Sequence, residues 1–191
     1  MRRFSRAALV ASLLVLTTSG LNAQRAASHR GVWLGGGIGM GSARLSCTVC
    51  RSGRDGGGSG YLRIGATVTP QLLIGGEALA WYHSEGNLSF LLGSVQAVLF
   101  LYPMPTSGFY IKTGFGLAQY SAKDPNNKIS SQALAGQVGV GYELAVGRGL
   151  SIVPYANFLG TTGADVRFND TVSGLGAKTS LIQVGVGLTL H

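Results

Sequence analysis

The last segment of the chain restricts its possible folds more than any other. Residues 178–191 read KTSLIQVGVGLTLH, in which large aliphatic residues alternate with polar or small ones. The aliphatic set is Ile182, Val184, Val186, Leu188 and Leu190. Because side chains alternate between the two faces of a β-strand, this period of two predicts a strand with one oily face and one polar face.

The N-terminal residues predict export from the cytoplasm. Three arginines within the first six residues precede the apolar run Ala8–Leu16, and a small residue follows at Ala23. The apolar run is too short to span a membrane, and the segment after it is polar, which disfavours an uncleaved anchor helix. We predict a signal peptide over residues 1–23, a short periplasmic segment over 24–30 and one domain over 31–191.

The composition favours a membrane barrel. Only 12% of the residues are charged, whereas soluble domains carry about a quarter, and glycine occurs 31 times. Mean hydropathy is +0.29, yet nothing after the signal reaches the roughly 18 apolar residues of a spanning helix. The formal net charge is +8, but the lysines and arginines form no stripe along the sequence, so no nucleic-acid partner is expected.

The rest of the chain repeats the pattern of the last segment. Period-two alternation predicts eight strands, near residues 31–43, 60–69, 72–83, 88–102, 108–120, 131–145, 150–159 and 178–191. Short connections at 69–71, 103–107 and 146–149 alternate with mostly longer, polar ones at 45–59, 84–87, 121–130 and 160–177. This alternation is typical of barrels that cross the bacterial outer membrane, with the short turns in the periplasm.

The two faces of these strands distinguish a membrane barrel from a soluble one. One parity is mainly apolar, and the other collects polar residues among glycines: Arg63, Glu77, Gln96, Lys112, Gln137, Glu143, Asn157 and Gln183. A soluble, lipocalin-like barrel would hide the apolar face and expose the charges. The predicted fold is therefore all-β: an eight-stranded antiparallel up-and-down transmembrane β-barrel.

Two strands depart from the simple pattern. Pro154 lies inside the seventh strand and cannot donate a ladder hydrogen bond, so we expect a bulge or an open hydrogen bond there. The fourth strand is apolar on both faces, which predicts that Leu92, Val98 and Phe100 form a local apolar plug inside the barrel.

Over residues 31–191 this pattern resembles the small OmpA- and OmpX-like barrels of the outer membrane. The final strand resembles their terminal recognition strand, whose last residue is usually aromatic and here is His191. The resemblance implies a monomer in the outer membrane of a diderm bacterium, in contact with outer-membrane lipid and lipopolysaccharide. It also implies delivery to the barrel assembly machinery through Leu188, Leu190 and His191. Such barrels include membrane-stabilising proteins, adhesins, narrow pores and a few lipid A-modifying enzymes, so fold alone selects no function.

Four inward charges are the first candidate site. If the short turn after Val68 sets the register, Arg63 lies opposite Glu77, and Lys112 and Glu143 lie at similar depth on neighbouring strands. These charges predict either a gate for a narrow ion or small-solute pore or a structural network that closes the interior. We favour closure because eight strands leave room only for side chains.

Cys47 and Cys50 are the second candidate site. In an exported protein, a disulfide within this first long loop is the expected chemistry. A zinc site needs about four ligands, and only His83 joins the two thiols, so neither a metal nor a cofactor is expected.

The run His83-Ser84-Glu85 is the only hint of an enzyme that acts on lipid A or phospholipid. Neighbouring residues of a strand point in opposite directions, which separates the histidine from the serine. We therefore expect no catalytic residues and no enzymatic activity.

The long loops carry basic residues, namely Arg44, Arg51, Arg54, Lys123, Lys128 and Arg167. They are suited to lipopolysaccharide phosphates or another cell surface, although nearby aspartates also fit ordinary solvated loops. The sequence predicts a non-enzymatic outer-membrane barrel with exposed loops and an envelope-structural or surface-interaction role.

Overall fold

The computed structural model describes residues 29–46, 53–125, 127–168, 171–172 and 176–191. They form eleven strands: β1 (Val32–Ser46), β2 (Asp55–Thr69), β3 (Leu72–Glu85), β4 (Leu88–Leu101), β5 (Phe109–Lys123), β6 (Lys128–Tyr142), β7 (Leu144–Ala145), β8 (Leu150–Thr161), β9 (Val166–Phe168), β10 (Thr171–Val172) and β11 (Lys178–Leu190). None of the described segments is a helix long and apolar enough to cross a membrane.

The eight long strands close into one antiparallel barrel. Strands β1 to β6 pair each with the next, β6 pairs with β8, and β8 pairs with β11. The barrel is closed by β1 and β11, whose pairing runs from Leu34 opposite Leu190 to Ser46 opposite Lys178. The predicted eight-stranded antiparallel barrel is therefore confirmed, and β7, β9 and β10 are short additions to it.

The distribution of residues between the two faces is the inverse of that in a soluble barrel. Apolar side chains stand outward on every long strand, and Ile38 and Leu62 are 78% and 70% exposed. Arg63, Glu77 and Lys112 are among the inward residues and are at most 3% exposed. Because exposed aliphatic side chains are favourable only in an apolar surrounding, this wall is built to lie in lipid.

The interior is filled in three layers between two ends. The terminal end holds residues 29 and 191 and the turns after β2, β4 and β7, and the loop end lies opposite. Along β3, Leu73 belongs to a lower apolar layer near the terminal end, Glu77 to a middle charge layer, and Trp81 to an upper apolar layer. The lower layer consists of Trp33, Leu73, Val98, Phe100, Tyr102, Tyr110 and Val153. The upper layer is dominated by Tyr61, Leu79, Trp81, Leu92, Tyr120, Tyr155, Leu159 and Leu181.

The predicted apolar plug of the fourth strand is confirmed, and it is divided between two layers. Leu92 is buried in the upper layer, whereas Val98 and Phe100 are buried in the lower one. Inner glycines make room for the large rings of these layers, since a Cβ atom at Gly141 would collide with the ring of Tyr110.

Several strands extend further toward the loop end than their sequences predict. Strand β2 begins at Asp55, and its glycine-rich start pairs with β1, so residues 55–59 belong to a strand and not to a loop. The predicted loop 84–87 is a tight turn in which Gly86 has φ +59 between the paired residues Glu85 and Leu88. Glycine and serine carry no apolar alternation, so pairing beyond the apolar belt leaves no periodic signal in the sequence.

Pro154 lies where the β8 ladder is interrupted. Strand β8 pairs with β6 up to Tyr155 and with β7 from Ile152, and the register is the same on both sides. The interruption faces Tyr142 and Glu143 and contains no extra residue. The pairing of β8 is therefore interrupted at this proline, and no bulge is present there.

Candidate functional site

The middle charge layer is centred on a buried ion pair between β5 and β3. Lys112 Nζ lies 2.7 Å from Glu77 Oε1 and 2.8 Å from Oε2, so the ammonium group bridges both carboxylate oxygens. Gln137 Nε2 donates a third hydrogen bond to Glu77, at 2.9 Å. All three side chains are buried, and together they bridge the lumen from β3 to β5 and β6.

Arg63 stands opposite Glu77 in the register, as predicted, but it forms no ion pair with it among the described contacts. Its guanidinium group donates to Thr189 Oγ1 at 2.8 Å and to the hydroxyl group of Tyr110 at 3.4 Å. Four rings surround the guanidinium carbon at 4.8 to 5.7 Å from their centroids, those of Trp33, Tyr61, Phe100 and Tyr110. At such distances a cation is attracted to the ring faces. This attraction stabilises the buried charge of Arg63, which has no ion pair with the carboxylate that binds Lys112.

Glu143 is not part of the charge layer and belongs to a separate cluster at the terminal end. Its Oε2 lies 3.1 Å from His29 Nε2 and 3.2 Å from His191 Nε2, and Tyr102 donates to its Oε1 at 2.8 Å. His29 also contacts the carbonyl oxygen of Pro70, at 3.1 Å from Nδ1. The four charges proposed as one network therefore lie in two places.

The pKa of Glu143 reflects these partners. Burial by itself would raise the pKa, but the hydrogen bonds from His191, His29 and Tyr102 outweigh it and lower the pKa to about 2. The side chain is therefore a carboxylate at neutral pH and accepts hydrogen bonds without donating any.

His191 differs from the outward residues of its strand. Leu188 and Leu190 are half exposed on the lipid-facing side, whereas the imidazole of His191 is 2% exposed and points inward onto Glu143. The parity of β11 already places His191 on the inner face, so this signal was present in the sequence. His29 was not predicted, because it lies in a polar segment without periodicity. Tyr102 was not singled out either, although it ends the predicted fourth strand on the inward parity.

The lower part of the interior is tightly packed in the part of the chain that the structure describes. The gap bordered by Arg63, Glu143, Trp33 and Phe100 has no volume that a water-sized sphere can enter. Large buried rings lie on this side of the Lys112–Glu77 pair, and further rings lie on the other side. The described part of the barrel is therefore packed with side chains, as its strand number favours.

The structure does not bring His83, Ser84 and Glu85 together as a catalytic group. The ring of His83 stacks between Trp81 and Phe90, at centroid distances of 6.1 and 5.8 Å. Ser84 is exposed and its hydroxyl group donates to the carbonyl oxygen of Leu88. The disulfide predicted between Cys47 and Cys50 and the signal peptide lie outside the described residues.

Three cations stand together on the outer face of the barrel at the loop end. Arg54 donates to the carbonyl oxygen of Ser42 at 2.8 Å and to Ser180 Oγ at 3.2 Å, so it reaches across β1 toward β11. Arg44 is paired with Ser180 across the strands, and Lys178 lies two residues away on the same face. Among the described residues, none of these cations lies within 4.0 Å of a carboxylate. We call Arg44, Arg54 and Lys178 the rim cluster.

The other predicted basic residues lie on other strands. Lys123 and Arg167 are exposed at the loop end, in β5 and β9, and the register pairs Lys123 with Lys128 and Arg167 with Ser130. Arg51 lies outside the described residues, and of Lys128 only the backbone, at the start of β6, is described. The rim cluster is therefore the group of three neighbouring basic residues whose side chains are all described, and Lys178 was missed as a member of it.

Comparison with solved structures identifies the fold. Neisserial surface protein A is similar over 83% of this chain and 96% of its own, with 14% identity and a TM-score of 0.61. Ail of Yersinia pestis, in complex with the heparin analogue sucrose octasulfate, is similar over 84% and 99%, with 14% identity and a TM-score of 0.58. OprG of Pseudomonas aeruginosa is similar over 87% and 99%, with 14% identity and a TM-score of 0.50. No protein-family model and no curated protein sequence matches.

At such identities the likeness shows the fold alone. The chain has the fold of the small eight-stranded outer-membrane barrels, which agrees with the resemblance seen in its sequence. That fold, together with the apolar outer face, places the chain in the bacterial outer membrane.

Proposed function

We propose that this protein is a non-catalytic, non-conducting outer-membrane barrel that acts in envelope structure and at the cell surface. The observation that carries the proposal is the Lys112–Glu77 pair, closed above and below by buried aromatic side chains. With the interior closed, the surfaces left for function are the lipid-facing wall and the loop end.

The pore alternative is less well supported. An open path would require the bridging ion pair to break and the rings of the lower layer to turn aside inside a packed barrel. A buried ammonium group without its carboxylate is costly, so the closed arrangement is the stable one. An enzyme is less well supported still, since His83 and Ser84 have separate, non-catalytic partners.

At the outer surface, the rim cluster supports binding of phosphorylated lipopolysaccharide. Its cations stand on the lipid-facing side just beyond the apolar belt, near the depth at which lipid headgroups begin. Arginine binds phosphate through paired, charge-assisted hydrogen bonds, and an anion between adjacent cations would relieve their mutual repulsion. Ail, a barrel of the same fold, has been solved with a highly sulfated ligand.

This role is tested by co-sedimentation of the folded barrel with lipopolysaccharide aggregates. We expect the charge reversals Arg44→Glu and Arg54→Glu together to weaken binding at least tenfold at physiological salt. Arg148→Glu is the matched control, because Arg148 is an exposed arginine of the turn at the terminal end. Equal binding by all three proteins would contradict a role for the rim cluster in surface interaction.

A further inference from the structure

The terminal-end cluster has the composition of a metal site. His29, Glu143 and His191 each direct one ligand atom into the same space, and these atoms all lie within 4.8 Å of one another. Both imidazoles approach a single oxygen, Glu143 Oε2, through Nε2. We propose that these residues bind a divalent transition metal of the zinc type at the terminal end of the barrel.

The first support is the contact of His29 with a backbone carbonyl. A carbonyl oxygen only accepts hydrogen bonds, so Nδ1 of His29 must carry the proton that it donates to Pro70. A hydrogen bond from Nε2 to Glu143 Oε2, 3.1 Å away, then requires a second proton on the ring. Where Nδ1 holds the only ring proton, the lone pair of Nε2 faces the carboxylate oxygen, and a bound cation can take the place of that second proton.

The second support is the way the carboxylate is held. Tyr102 donates to Glu143 Oε1 and leaves Oε2 to face the two histidines. Metal-binding histidines and carboxylates are typically oriented in this manner by hydrogen bonds from a surrounding shell of carbonyl and hydroxyl groups. Pro70 and Tyr102 supply both kinds of support here.

The third support is His191, whose remaining hydrogen-bonding capacity is not used. Its Nδ1 atom is buried and has no hydrogen-bond partner among the described residues. Its Nε2 atom lies 3.2 Å from Glu143 Oε2 and is therefore the ring nitrogen that His191 directs into the cluster.

Two of the three ligand-atom separations suit zinc. Ligand atoms at about 2.0 to 2.1 Å from a tetrahedral zinc ion lie roughly 3.3 Å apart, which is close to the two nitrogen-to-oxygen separations in the cluster. The ligand atoms of the two histidines lie within 4.8 Å of each other, so zinc binding requires the two imidazoles to move closer together than that. Two imidazoles and one carboxylate are a set of protein ligands that zinc accepts, with solvent in the fourth position. The bound ion would join three distant parts of the chain: the segment before β1, the link between β6 and β7, and the end of β11.

A proton on His29 is the alternative source of the positive charge, and metal titration distinguishes the two. The proteins for this test are untagged, folded in detergent, and carry Cys47→Ser and Cys50→Ser, so that the three histidines are the main potential ligands. Equilibrium dialysis against Zn²⁺ should give one ion per chain. The d–d spectrum of bound Co²⁺ should be that of a tetrahedral site.

His29→Ala, Glu143→Gln and His191→Ala should each weaken zinc binding more than tenfold, and Tyr102→Phe about tenfold. His83→Ala is the matched control and should bind like the parent, because His83 lies at the loop end. Heat-modifiable gel migration shows that each variant is folded. Absence of stoichiometric zinc in the folded parent, or equal binding by parent and His29→Ala, would overturn the proposal and leave a protonated His29.

Discussion

At the scale of single residues, the charge layer depends on which cation holds Glu77. Arg63 is the nearer residue in the strand register, but Lys112 forms the ion pair from two strands away. The planar guanidinium group can be stabilised by ring faces and neutral acceptors, whereas the compact ammonium group needs a carboxylate in a buried position. The aromatic surroundings of Arg63 therefore determine the pairing.

Glu77→Gln should destabilise the barrel by about 3 kcal/mol, because Lys112 keeps its charge in a buried position without a carboxylate. Urea unfolding of the protein in lipid vesicles measures this change. Glu85→Gln is the matched control, since Glu85 is exposed at the loop end of the same strand, and its effect should stay within about 0.5 kcal/mol.

Removing both partners tests whether the pair is structural. Combining Glu77→Leu with Lys112→Met should recover most of the stability lost in Glu77→Gln, because no unpaired charge remains. A double variant at least as unstable as Glu77→Gln would show that the loss comes from packing and not from the charge.

At the scale of elements, β11 closes the barrel through its backbone and its outward leucines. Deleting residues 188–191 removes the pairing of Leu188 with Gly36 and of Leu190 with Leu34. The seam between β1 and β11 would then open at the terminal end. We expect the truncated chain to fail in assembly and to be degraded in the periplasm, which immunoblotting of membrane fractions measures.

The variant His191→Ala removes the terminal ring and keeps the strand, so it distinguishes the contributions of the two to assembly. Since the imidazole points inward onto Glu143, this variant should reach the membrane at nearly the level of the parent. A loss as severe as that of the truncation would instead place the assembly signal in the ring of His191. Normal membrane levels of the truncated chain would contradict the closing role of β11.

The sequence predicts correctly those strands in which apolar and polar residues alternate with a period of two. As β11 illustrates, this alternation indicates that the segment is a strand, which of its faces is apolar, and that the barrel lies in a membrane. Sequence reasoning failed at the start of β2, where Gly56 to Gly60 pair without any alternation. It also placed Glu143 in the wrong cluster, because alternation gives the face of a residue but not the partners that a long side chain reaches.

At the scale of the whole molecule, the barrel carries its apolar face on the outside, and side chains fill its interior. Its outer wall is apolar, its interior holds a charge layer between two aromatic layers, and the Glu143 cluster lies at its terminal end. The apolar wall suits residence in the membrane, and the packed interior supports the proposal of a barrel that does not conduct. The loops and the rim cluster are then the surfaces available to partners.

Single-channel recording of the folded parent protein in planar lipid bilayers tests the closed interior most directly. Because the Lys112–Glu77 pair and the rings on both sides of it fill the lumen, we predict no conductance steps above the lipid baseline. Steady channel openings by the parent, increased by Glu77→Gln without loss of stability, would show that the lumen is a gated pore and would contradict this account.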